Sequence, residues 1–207
     1  MINAHFVTHE FEKAVADYTG APYCVAVDNG SNALFLALTY DDIRGKTIEI
    51  PSRTYMSVPC EIIHAGGKVK FIPSEGKTLK GAYELKGSSV IDSALRFTAD
   101  MYIKGKFMCC SFTGPYKHLK LGKGGCILTD DYNAYLWFKR ARYSGRNEIS
   151  YHTDTFTMTG WNYYMNPMIA SLGLLLMSQF YDLQNNKKVM SDLELPYPDL
   201  STHSAYQ

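Results

Sequence analysis

Four places in this 207-residue sequence carry side chains able to do chemistry. Lys117 lies in Ser111-Phe112-Thr113-Gly114-Pro115-Tyr116-Lys117-His118-Leu119-Lys120-Leu121-Gly122-Lys123-Gly124-Gly125, where a strand runs into a Gly/Pro turn and a glycine-rich return. A lysine fixed and desolvated in such a turn becomes a nucleophile toward an aldehyde. By spacing alone it also fits a solvated loop lysine, and with Lys120 and Lys123 it makes a basic cluster able to touch phosphate. Asp92 closes the apolar run Val90-Ile91-Asp92. A carboxylate at a strand end faces the ligand crevice of an open α/β sheet, although the same residue can serve as a helix N-cap. Asp28-Asn29-Gly30-Ser31-Asn32-Ala33 is a strand-to-helix turn. Its glycine admits close backbone approach, and the helix dipole, free amides and Ser31 hydroxyl suit an anion. Taken alone, an ordinary capped turn is the better explanation, and it is neither a dinucleotide fingerprint nor a Walker loop. Tyr55, in Pro51-Ser52-Arg53-Thr54-Tyr55, can stack on a flat ligand or pack within its own turn.

The elements that must position these residues follow from pattern. Thr8 reads as an N-cap, with Phe11, Val15 and Tyr18 on one helical face and Gly20-Ala21-Pro22 as the stop. Strand signals recur at Tyr23–Val27, 47–50, 69–72, 89–91, Phe107–Ser111 and Gly125–Thr129, and helix signals at 32–38, 56–64, 132–143 and 165–180. Residues 144–159 are polar and aperiodic, hence a loop. This alternation with short connections predicts an α/β fold. The tail, with Pro196 and Pro198, reads as a poorly packed terminus.

Composition narrows the function. With 21 Lys and Arg against 20 Asp and Glu, the net charge of +1 gives no bulk field for nucleic acid or an anionic membrane. Hydrophobic residues at 46% and charged residues at 20% describe a globular chain, not a disordered one. Sixteen tyrosines favour a contact surface or polar ligand. The apolar stretch 168–177 is shorter than the roughly 20 residues of a membrane span. The first ten residues hold no apolar signal-peptide region, so a cytoplasmic location is expected. The five cysteines, Cys24, Cys60, Cys109, Cys110 and Cys126, sit in apolar runs with no C-x-x-C pair. They read as small core residues in a reducing compartment, with a thiol catalyst as the alternative, and no metal-binding set is expected.

None of the four chemical features is specific alone. Their order is: anion turn, aromatic, strand-end Asp, Ser before a loop Lys, then a Gly-rich strand. That is the order of a pyridoxal 5'-phosphate enzyme. The sequence resembles the DegT/StrS-type sugar aminotransferases, a branch of the type I pyridoxal phosphate transferases, along nearly its whole length. The resemblance is carried by Phe11-Glu12-Lys13-Ala14-Val15-Ala16, Val27-Asp28-Asn29-Gly30-Ser31-Asn32-Ala33-Leu34, Ile50-Pro51-Ser52-Arg53-Thr54-Tyr55-Met56-Ser57, Ile91-Asp92-Ser93-Ala94, Ser111-Phe112 with 117–125, and Gly160-Trp161-Asn162-Tyr163-Tyr164-Met165.

The resemblance implies a three-layer α/β/α sandwich with a mainly parallel sheet, the large domain of the type I fold, spanning 1–190. A tail follows at 191–207, and the C-terminal small domain is largely missing. It implies that Lys117 links covalently to the cofactor and moves the proton, and that Asp92 pairs with the ring nitrogen. Tyr55 would stack on the ring, while Gly30, Ser31, Asn32 and Ser111 hold the phosphate. Asn162 would reach the phosphate of a neighbouring subunit, implying a homodimer with composite sites. The implied reaction transfers an amino group, from glutamate, to a keto sugar carried on a nucleotide. Other pyridoxal phosphate chemistry, such as dehydration, and a non-catalytic binding or structural protein are the alternatives. The chain departs from the family at Leu95 and Arg96, where Gln or His is usual, and at Thr113, Lys123 and Tyr164, which replace a His, an acidic residue and an Arg. One residue is inserted before Lys117, and a βα unit is absent between 72 and 90.

Overall fold

The computed structural model describes residues 5–74, 78–182 and 192–206. Helix α1 (Phe6–Thr19) ends at Gly20, whose φ of 75° is the left-handed conformation of a helix C-cap. Its N-cap is His5 rather than Thr8. Thr8 lies inside the first turn, where its Oγ1 accepts a 3.0 Å hydrogen bond from the Tyr164 hydroxyl. There follow β1 (Tyr23–Val27), α2 (Gly30–Tyr40), β2 (Thr47–Pro51), α3 (Ser57–His64), β3 (Lys68–Ile72), the two-residue strands β4 (Leu79–Lys80) and β5 (Tyr83–Glu84), β6 (Val90–Asp92), β7 (Phe107–Ser111), β8 (Gly125–Thr129), α4 (Tyr132–Ala141), α5 (Pro167–Asp182) and β9 (Glu194–Leu195). The Ala- and Leu-rich run of α2 favours a helix, and Asn29 caps it by accepting from the Asn32 amide at 2.8 Å. Strands β4, β5 and β9 carry no pattern of their own at two residues each.

The main sheet has the order β1-β8-β7-β6-β5. Strands β1, β6 and β7 point the same way, while β8 runs against both its neighbours and β5 runs against β6. A separate parallel pair, β2-β3, joins the β5 rim through reciprocal backbone bonds between Glu49 and Lys86. The period-2 alternation of strands separates two cores. Val25, Val27, Cys109 and Ile127 face the α2 and α4 side. Cys24, Ala26, Met108, Cys110, Cys126 and Leu128 face the α1 and α5 side. The result is the expected α/β/α layering, with apolar residues on both faces of β7 and β8 because both faces are covered.

The reversal of β8 has a consequence for the site. Connection 112–124 leaves and returns at one end of the sheet, closed by a 2.9 Å bond from the Phe112 amide to the Gly124 carbonyl. Lys117 is thereby held over the ends of β6 and β7. The tail corrects its sequence reading. Residues 192–206 are irregular but not loose, because β9 pairs with β4, Leu193 N donates to Leu95 O at 2.9 Å, and Leu200 is buried with its amide on Ser52 O at 2.8 Å. Proline-rich composition correctly denied it long elements, but single apolar anchors escape a periodicity test.

Candidate active site

A cavity of about 430 Å³ opens where β1, β6 and β7 end, at the size of small-molecule sites. Gly30 and Ser31 bring the N-terminus of α2 to it, and Ser111 closes β7 beside them. A β-carbon on Gly30 would stand 2.7 Å from Ser111 Cβ, so only glycine permits this approach. Ser31 Oγ shares a 2.6 Å hydrogen bond with Ser57 Oγ, which also lines the cavity. The arrangement concentrates amide dipoles and hydroxyls where an anion would sit.

Asp92 and Lys117 meet at the backbone of Ala94. The Ala94 amide donates to Asp92 Oδ1 at 2.8 Å, and Lys117 Nζ donates to the Ala94 carbonyl at 2.7 Å. Burial pushes the Asp92 carboxyl up, against the Ala94 amide, the Lys117 charge and the Tyr83 hydroxyl. Burial likewise pushes the Lys117 ammonium down, with the Asp92 charge acting to restore it. A lysine so placed loses its proton more readily and becomes more nucleophilic. Tyr55 lines the same cavity and remains 46% exposed.

Of the residues singled out from sequence, Gly30, Ser31, Tyr55, Asp92, Ser111 and Lys117 share this cavity. Asn32 does not line it; its side chain turns back to Asp28 Oδ1 at 2.7 Å. Asn162 is exposed and bridges Tyr143, away from the cavity. The cysteine reading holds for Cys24, Cys109, Cys110 and Cys126, which are buried, whereas Cys60 is half-buried on α3. Cys109 lines the cavity, but burial pushes its thiol well above the ordinary range, which disfavours a thiolate nucleophile. Among the described residues no group of three or more His, Cys, Asp or Glu could hold a metal. None of the described helices is long and apolar enough to cross a membrane.

Two tyrosines at Asp92 escaped the sequence reading. Tyr83 is the register partner of Asp92, and its hydroxyl shares a 2.6 Å bond with buried Thr54. Tyr197 enters the cavity from the tail. Neither carries a local signal, since a two-residue strand and an irregular tail place them.

The model of the DegT/DnrJ/EryC1/StrS aminotransferase family matches residues 5–84 and 103–193. The chain belongs to this family. The match includes Lys117 and omits Asp92, whose position at the site rests on the geometry above. Similar relatives include GDP-perosamine synthase of Escherichia coli O157:H7, 25% identical over 89% of this chain and 61% of that one. A second is dTDP-3-amino-3,6-dideoxy-alpha-D-galactopyranose transaminase of Aneurinibacillus thermoaerophilus, 43% identical over 49 residues, or 23% of this chain and 14% of that one. The structure of GDP-4-keto-6-deoxymannose-3-dehydratase with bound GDP-perosamine is similar at a TM-score of 0.67 and 17% identity, covering 85% of this chain and 61% of that one. The chain thus spans less than two thirds of the length of these relatives.

Proposed function

We propose that the cavity binds pyridoxal 5'-phosphate and that this family member transfers an amino group, from glutamate, to a keto sugar carried on a nucleotide. The observation that carries the reading is that Asp92 and Lys117 both bond the backbone of Ala94, one at its amide and one at its carbonyl, in a cavity that begins at a helix N-terminus. The residues fit the group. The Gly30 cradle and the Ser31 and Ser111 hydroxyls suit its phosphate, Tyr55 suits a ring face, and buried Asp92 suits a protonated ring nitrogen. Bound there, the cofactor supplies an aldehyde carbon and a ring that takes up the electron pair of a broken C–H bond. Asp92, charged beside that nitrogen, keeps it protonated. Lys117 Nζ would hold the cofactor and would take and return the proton at the substrate carbon. The names of the two relatives supply the substrate class.

The test is incubation with pyridoxal 5'-phosphate, borohydride reduction and peptide mapping. A label on Lys117, absent from Lys117→Ala, is expected; an unlabelled wild type overturns the reading. Amino transfer between glutamate and a GDP- or dTDP-linked keto sugar then distinguishes it from dehydration.

The assembly we propose is a homodimer. Helix α5 exposes Met168 (79%) and Leu175 (62%) beside Leu172, an apolar face suited to a second copy. Asn162 would then reach the partner's phosphate site. Light scattering at the mass of one chain would refute this.

A further inference from the structure

The tail makes one wall of the cavity: Leu195, Pro196 and Tyr197 line it. Several bonds fix this wall, and none uses the Tyr197 side chain. Arg96 holds Asp192 through two 2.7 Å hydrogen bonds. Gly81 N donates to Leu193 O at 3.1 Å, Arg53 Nη1 donates to the Tyr197 carbonyl at 3.1 Å, and the Tyr206 hydroxyl donates to Met56 O at 3.2 Å. Tyr55 lies between the last two anchor points in sequence. Its ring meets that of Tyr197 edge to face, with centroids 6.0 Å apart and planes at 68°.

We propose that Tyr197 is a positioning residue for the site, holding the Tyr55 ring in its stacking orientation and shielding the Asp92 carboxylate from water. The ligand it serves is a planar, protonated nitrogen ring bearing a phosphate; the proposal therefore rests on the cofactor reading above. Three observations support it. Edge-to-face contact with Tyr197 restrains a ring that is still 46% exposed. The phenol of Tyr197 is pushed up to about 12, first by burial and then by the charge of Asp92, so it stays neutral beside that carboxylate. A bulky aromatic there lowers the local dielectric in which Asp92 would meet a ring cation, strengthening that pair.

The experiment uses the full chain and pyridoxine 5'-phosphate, which lacks the aldehyde and so binds without reacting with Lys117. Its affinity is measured by fluorescence quenching from pH 6 to 9 for the wild type, Tyr197→Ala, Tyr197→Phe and Tyr55→Ala. Tyr197→Ala is expected to weaken binding roughly three- to tenfold and to flatten its pH dependence. Tyr197→Phe should restore affinity to within about twofold, since the ring carries the effect. Tyr197→Ala should cost less in the Tyr55→Ala background than in the wild type, since only the shielding of Asp92 is then left to lose. Hydrogen exchange at 193–195 reports whether the strap, the tail segment that carries Tyr197, stays in place. Unchanged or tighter binding in Tyr197→Ala with the strap intact overturns the proposal, tighter binding marking Tyr197 as a plug. Weaker binding with faster exchange at 193–195 also overturns it, since the strap and not the ring would then be at fault. A wild type that neither binds this probe nor labels at Lys117 removes the cofactor reading together with the inference. A labelled, binding wild type indistinguishable from Tyr197→Ala removes the inference alone.

Discussion

Gly30 has no room for a side chain. In Gly30→Ala the new Cβ would lie 2.7 Å from Ser111 Cβ, a contact that forces one strand end or helix end to move. The expected cost is about 1–3 kcal/mol in urea unfolding. Ser111→Gly in the same chain should recover part of it, a coupling that a double-mutant cycle measures. Asp92 gives a different signature. Its folded carboxyl holds a proton to higher pH than in the unfolded chain, because it is buried. The folded state therefore binds more protons, and stability falls as pH rises from the ordinary carboxylate range through the raised value. Asp92→Asn removes that loss. Without ligand the variant should melt higher than the wild type at neutral pH, by roughly 2–4 °C for each kcal/mol released, and the two curves should converge in acid. Labelling at Lys117 would then separate the stabilised fold from a functional site.

At the scale of elements, the two-residue pair β4-β9 is too short to hold the tail by itself. The Arg96–Asp192 fork is its clasp. Both side chains are partly buried, so the pair is worth more than an exposed one. Arg96→Ala is expected to cost about 1 kcal/mol. Its clearer readout is faster hydrogen exchange at Leu193 and Leu195, with exchange in β7 and β8 unchanged. Equal acceleration in β7 would show that the tail does not open separately from the sheet.

Across the whole molecule, one buried charge network ties α1, β1, α4 and the loop after α4 together. Arg142 is fully buried and contacts Glu12, the Ala26 carbonyl and Glu148, the last at 2.8 Å. Lys139 reaches Glu12 at 3.2 Å and Glu148 at 2.9 Å, His9 contacts Glu148, and the Arg142 guanidinium lies 5.1 Å over the Tyr164 ring. Tyr164, where the sequence resemblance implies an arginine, thus serves this network. Removing Arg142 leaves two buried carboxylates sharing Lys139 as their remaining strong cation, so Arg142→Met should cost about 3–5 kcal/mol. Burial alone would raise the Glu148 carboxyl, but His9, Arg142 and Lys139 outweigh it and hold it well below the usual range. That stability is present above the ordinary carboxylate pKa and is lost as pH falls toward the depressed folded value. The stability gap between wild type and Glu148→Gln should be widest near neutral pH and close in acid; a constant gap would refute the linkage.

The sequence by itself determined the layered α/β architecture and the placement of Lys117 and Gly30 in turns at strand ends. Apolar period, Gly/Pro punctuation and helix-forming runs are local properties, and they read the same before and after folding. Family membership was also legible, because motif order survives in the chain. The tertiary structure alone decided that β8 runs backward between β7 and β1, which hangs the lysine loop over Asp92. It alone brought Tyr83 and Tyr197 to that carboxylate and turned Asn32 away from the cavity. Those outcomes depend on hydrogen bonds and ring contacts between residues far apart in the chain, such as Tyr55 and Tyr197, and no local pattern encodes which distant partner a side chain will meet.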